Sequence, residues 1–146
     1  MNASTSQSKL STIARIGRYY IMLFSLLVIL YLIFGTIFTL FTLKNSNTEG
    51  GFASAITLEL LVLFGLPIIV FNLLFFFAAL HIAEPESRKT HLGTLYVISI
   101  LWLALSLYLL HLGSFLASID AFILLLFAIL LFASTALIHV SLRNPS

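Results

Sequence analysis

The chain has 146 residues, of which 61% are hydrophobic and only 8% charged, and it contains no cysteine. Soluble domains run at about 45–50% apolar and about 25% charged, so a mean hydropathy of +1.16 excludes a water-facing globular domain. The net charge is only +2 and the seven basic residues lie scattered between apolar runs, unlike the clustered face of a nucleic-acid binder; the lack of cysteine excludes disulfides, thiolate metal sites and cysteine nucleophiles.

Residues 1–18 are rich in Ser and Thr, lack acids, and carry Lys9, Arg15 and Arg18. That composition also fits a transit peptide. The preferred reading is a cytoplasmic N-terminal segment whose end, with Leu10, Ile13 and Ile16 on one side, lies along the membrane surface. The apolar run that follows is too long for the 7–15-residue core of a secretory signal.

Four apolar segments come next, at about 19–43, 53–79, 92–112 and 121–140. Each reaches the roughly 20 residues that cross a bilayer as a helix. None shows the two-residue alternation of a membrane barrel strand. The expected fold is therefore all-α, a four-helix transmembrane bundle over residues 19–143 with a short tail at 144–146. Short connections make neighbouring helices antiparallel, in up-down order. Pro85 is expected to stop the second helix, Thr90 to cap the third, and Asp120 or Ser118 to cap the fourth.

Placing both termini in the cytoplasm puts Lys9, Arg15, Arg18, Arg88, Lys89 and Arg143 inside and leaves only Lys44 outside. The positive-inside rule favours that orientation, and with it a multi-pass protein of the plasma (inner) membrane.

In lipid, helices associate through small residues and occasional polar contacts. Each segment carries such a stripe: Ser25, Leu32, Gly35, Thr36 and Thr39; Ser54, Leu61, Gly65, Asn72 and Ala79; Ser99, Ser106 and Gly113 beside Trp102; Ala121, Ala128, Thr135 and His139. The expectation is that these stripes face one another inside the bundle. One of them facing a partner protein is the alternative.

The second segment holds most of the unusual chemistry. Glu59 is an acid inside an apolar run, where a charge costs ~2.5–3.5 kcal/mol at the helix centre. It lies roughly 9 Å below the outer boundary, at the depth of Lys44 and His111, which are its expected polar partners. Gly65 and Pro67 mark a kink, since proline removes the bond to the carbonyl of Leu63. Asn72 is expected to make an interhelical hydrogen bond. His81, His91 and His139 share the cytoplasmic side and are weak candidates for a metal or haem. Only His139 lies on an inward stripe, His81 lies opposite its own, and His91 reads as loop. No GxSxG, HExxH or P-loop motif occurs.

The leading reading is a non-enzymatic accessory, assembly or immunity-type subunit that binds another integral membrane protein, or a second copy, through helix faces. No cofactor and no nucleic acid is expected. Two alternatives stay open: a small oligomeric transporter or channel using Glu59 and the Gly65/Pro67 kink, and a membrane cofactor protein using the histidines.

Overall fold

A computed structural model describes residues 10–45, 59, 61–112 and 115–143. The described chain is helical: α1 (Thr12–Asn45), a π turn (Leu61–Gly65), α2 (Leu66–His81), α3 (Arg88–Leu112) and α4 (Phe115–Arg143). Four helices are long and apolar enough to cross a membrane, spanning Thr12–Thr42, Leu63–His81, Arg88–Leu112 and Asp120–Arg143. α1 packs on α2 and α4, and α3 packs on α2 and α4, so the helices close into a ring.

Three boundaries differ from the sequence expectation. α1 begins at Thr12, not near Tyr19, and Leu10 is buried while Ile13 and Ile16 are exposed. Residues 12–18 are thus the first turns of a core helix, not a strip lying on the membrane surface. Thr90 lies inside α3, which starts at Arg88, and the His91 N–H donates to the Ser87 carbonyl at 3.0 Å. His91 is therefore a helical residue rather than a loop residue. Asp120 and Ser118 lie inside α4, which starts at Phe115, so neither caps it.

A hydroxyl in hydrocarbon needs a partner, and here its own helix supplies one. Ser25 donates to the Ile21 carbonyl at 2.8 Å, Thr36 to Leu32 at 2.6 Å, Thr39 to Gly35 at 2.8 Å and Ser106 to Trp102 at 2.7 Å. These i−4 bonds let small polar residues sit in apolar helices without an orphaned donor.

The core lies where the first half of α1, the end of α2, the start of α3 and the end of α4 meet. Ala14, Ile21, Phe75, Ala79, Leu95, Leu131 and Ile138 are buried there. α1 comes close to α4 at Gly17: a Cβ built there would lie 3.2 Å from Ser134 Cβ and 3.3 Å from its Cα and carbonyl oxygen. Any larger residue would make α4 retreat by a few tenths of an ångström. The same end is tied by polar bonds between helices. The Ser11 N–H donates to Ser141 Oγ at 2.8 Å, Arg18 Nη2 to the Leu80 carbonyl at 2.7 Å, and Tyr20 to the Phe127 carbonyl at 3.3 Å. Between α3 and α4, Ser99 and Thr135 share a hydrogen bond at 3.2 Å, and Tyr96 meets His139 Nδ1 at 3.1 Å.

The stripes of α2, α3 and α4 turn inward as expected: Asn72, Ala79, Ser99, Ser106, Ala128 and Thr135 are all buried. The stripe of α1 does so only in its first half. Ser25 is buried, but Gly35 and Thr39 are exposed, and a Cβ on Gly35 would meet nothing within 4 Å. From Leu30 onward no described side chain of α1 is buried, and Tyr31, Phe34, Phe38 and Phe41 project outward.

Candidate functional site

Asn72 lines a half-open cavity of about 210 Å³ together with Ile68, Phe71, Ile98, Leu101, Trp102 and Leu105. A second cavity of about 420 Å³ shares Ile68, Trp102 and Leu105 and continues toward α1 and α4 at Phe24, Tyr31 and Phe127. For scale, an engineered apolar cavity of ~150 Å³ holds benzene. Neither lining contains a charged residue.

Each wall has a local cause. Trp102 stands three residues after Ser99 and four before Ser106 on α3, and its ring is held edge-on by Phe24, with centroids 5.3 Å apart at 87°. Phe24 in turn lies 6.2 Å from the Phe127 ring of α4. Ile68 and Asn72 are set by the entry into α2. Pro67 sits in the first turn of α2, directly after a turn that is already helical. The turn before it is a π turn, Leu61–Gly65, which is how a helix absorbs a locally unpaired carbonyl without breaking. Gly65 has φ −68° and ψ −46°, so the chain passes through it helically. The expected kink is thus a widened turn.

Asn72 is 1% exposed. Its Nδ2 donates to the Ile68 carbonyl at 2.8 Å, within its own helix. The interhelical bond expected of this amide is therefore not the one formed. Its Oδ1 is buried without a hydrogen-bond partner, which costs about 1–3 kcal/mol. Flipping the amide would set two oxygens against each other at Ile68, so the orientation follows from the bonding.

The other candidate residues are dispersed. His81 and His91 approach with ring centroids 6.0 Å apart, and His81 Nε2 lies 3.9 Å from Glu84. His81 Nδ1 is engaged with the Phe77 carbonyl at 3.0 Å. His139 is elsewhere, on Tyr96, so of His81, His91 and His139 the first two come together and the third does not. Among the described residues no group of three or more His, Asp or Glu side chains is placed to hold a metal ion. Glu59 and His111 are both exposed, and no hydrogen bond or ion pair joins them. The side chain of Lys44 lies outside the described residues, as do Ser54 and Gly113.

Sequence reasoning passed over three features here: Gly17, the Tyr96–His139 pair and Trp102 as a shared wall. Gly17 had a signal. Stepping back from Ser25 by fours and threes gives Ile21, Gly17, Ala14 and Leu10, all buried, so the stripe simply continues past Arg18. The other two depend on rotamers and carry no local mark.

The four helices long and apolar enough to cross a membrane among the described residues give the class, a multi-pass membrane protein. Compared with known proteins, the chain matches no family model, no curated protein and no solved structure.

Proposed function

We propose that the chain is an up-down four-helix protein of the plasma (inner) membrane, with both termini cytoplasmic, that acts by binding another integral membrane protein through the second half of α1. The observation that carries this reading is the uncovered Gly35-xxx-Thr39 pair, where a Cβ on Gly35 would meet nothing within 4 Å. Small residues four apart let a second helix approach closely in lipid, and in α2, α3 and α4 the equivalent stripes are already consumed inside the bundle. Thr39 and Thr42 bond to their own helix, so the face offers shape, not unmet polarity. The up-down order is supported by contacts that descend one helix as they climb the next: Ser11–Ser141, Gly17–Ser134 and Tyr20–Phe127 on one pair, Tyr96–His139 and Ser99–Thr135 on the other. The six-to-one distribution of Lys and Arg supports the orientation.

The test is photocrosslinking in native membranes from benzoylphenylalanine placed at Phe38, with Val97 as an exposed reference on α3. A single adduct with one larger protein is expected from Phe38 and not from Val97, and Gly35→Leu abolishes it. Adducts of equal pattern at both positions mean that the face meets only lipid. An adduct of twice the chain's own mass replaces the separate partner with a second copy.

A further inference from the structure

We propose that the guanidinium groups of Arg15 and Arg18 hold the phosphate of an anionic phospholipid at the seam where α1 meets the end of α2. This seat lies toward the opposite end of α1 from Gly35, and it stands or falls independently of the partner face.

Arg18 belongs to a helix long and apolar enough to span a membrane, Thr12–Thr42, and it is only partly exposed. A cation at such a place needs a compensating anion or a set of acceptors. Its Nη2 donates to the Leu80 carbonyl at 2.7 Å, one of the last four carbonyls of α2, which lack a partner within their own helix. That bond fixes the group in place and leaves its charge uncompensated. Among the described residues Arg18 makes no ion pair. Its Nε is enclosed without an acceptor and is out of a ligand's reach, whereas Nη1 makes no hydrogen bond among the described residues and is not enclosed. The phosphate therefore meets the outer edge of the fork, at Nη1.

Arg15 stands three residues earlier on α1, where side chains are neighbours on a helix surface. It is exposed, its Nε donates to the Leu10 carbonyl at 3.1 Å, and it too has no ion pair among the described residues. Two charged forks, each pinned by a main-chain carbonyl, thus lie one turn apart with no carboxylate on either. The acids in the connection between α2 and α3 are Glu84 and Glu86; both are exposed, and Glu84 lies 3.9 Å from His81.

The class of ligand follows from the surroundings. What reaches a spanning helix from outside the bundle is lipid, and α1 and α2 continue away from this end with exposed apolar side chains, Leu23 and Phe77 among them, along which acyl chains can lie. The planar fork of arginine matches two phosphate oxygens. A phosphodiester with an otherwise neutral headgroup, as in phosphatidylglycerol, brings one uncancelled negative charge to the two cations. Phosphatidylcholine carries its own ammonium to the same place and forfeits most of that gain.

Native mass spectrometry of the full chain, released from detergent micelles doped with equimolar phosphatidylglycerol and phosphatidylcholine of matched chains, counts the retained lipid. One retained phosphatidylglycerol is expected, favoured over phosphatidylcholine by at least about fivefold, the effect of one basic residue at an anionic surface. Arg18→Gln, which keeps an N–H for Leu80 and removes the charge, should lower that preference about fivefold. If that variant does not fold, Arg15→Gln, at an exposed position, should lower it to a similar extent at unchanged helical circular dichroism. Equal retention of the two lipids by the unmodified protein overturns the proposal. So does an equal loss in Arg143→Gln, which alters an exposed cation on α4 and would show a diffuse surface charge in place of a seat. Displacement of the lipid by millimolar inorganic phosphate also overturns it, since the site would then take a free anion.

Discussion

The contact between Gly17 and Ser134 makes a sharp prediction, because the two nearest unyielding atoms are main-chain atoms. A Cβ at Gly17 would sit 3.3 Å from both Ser134 Cα and its carbonyl oxygen, and 3.2 Å from Ser134 Cβ. Ordinary carbon contacts lie at about 3.5–4.0 Å, so α4 must retreat by a few tenths of an ångström for the Cβ alone. Gly17→Leu brings three further carbons into the same seam. Overpacking of this kind costs about 1–3 kcal/mol, and on the scale of soluble chains of similar length each kcal/mol lowers the midpoint by about 2–4 °C. The expected fall is therefore between about 2 and 12 °C. Gly35→Leu is the matched control: it is the same change in the same helix, with nothing within 4 Å of the new Cβ. The gain in helix propensity, up to about 1 kcal/mol, is common to both and cancels in the comparison. Thermal unfolding in detergent, followed by Trp102 emission and circular dichroism, reads the difference. Equal midpoints for the two variants would refute the close approach of α1 and α4.

Two further outcomes follow from the same packing. Gly65 is buried and Leu63 is 65% exposed, so Gly65→Leu should lower the thermal midpoint in detergent by several degrees. Leu63→Ala should shift it by no more than the ~0.5 kcal/mol typical of exposed sites, and similar losses would mean that the inward face of α2 is misassigned. Because the chain lacks cysteine, single cysteines at Asn47 and Asn144 report topology without background: an impermeant thiol reagent should label the first from outside and the second only after permeabilisation, and the reverse pattern would invert the proposed orientation.

The helices and three of their four inward faces were legible because the signal is local. Seven-residue spacing of small residues places Asn72 with Ala79, Ser99 with Ser106 and Ala128 with Thr135, and all six are buried. In α1 the same rule succeeds at Ser25 and fails at Gly35, since spacing says which residues share a face and not whether a neighbour reaches that far. Glu59 shows a different limit. Placing it on a face relative to Asn72 would need a uniform 100° per residue, but the π turn Leu61–Gly65 intervenes. Such a turn takes in one residue more than an α turn, which rotates everything before it by about 100°. Proline at position 67 hinted at a distortion, but several kinds of kink answer to the same residue. The cavity was out of reach for another reason: it is a space between Trp102, Phe24 and Ile68, and a void leaves no pattern in a sequence.

The uneven packing of α1 also has a mechanical consequence. Its fixed portion is gripped at Gly17 by Ser134 and at Arg18 by the Leu80 carbonyl, while the stretch from Leu30 onward has no buried side chain among the described residues. That makes the helix an arm on a pivot. From Ile29, the last buried residue of α1 among those described, to Phe41 the arm is about 18 Å long at 1.5 Å per residue, so each degree of tilt displaces the Phe41 end by about 0.3 Å. Rocking at that point becomes a stroke at the other end, and the aromatic rings at Tyr31, Phe34, Phe38 and Phe41 ride on it.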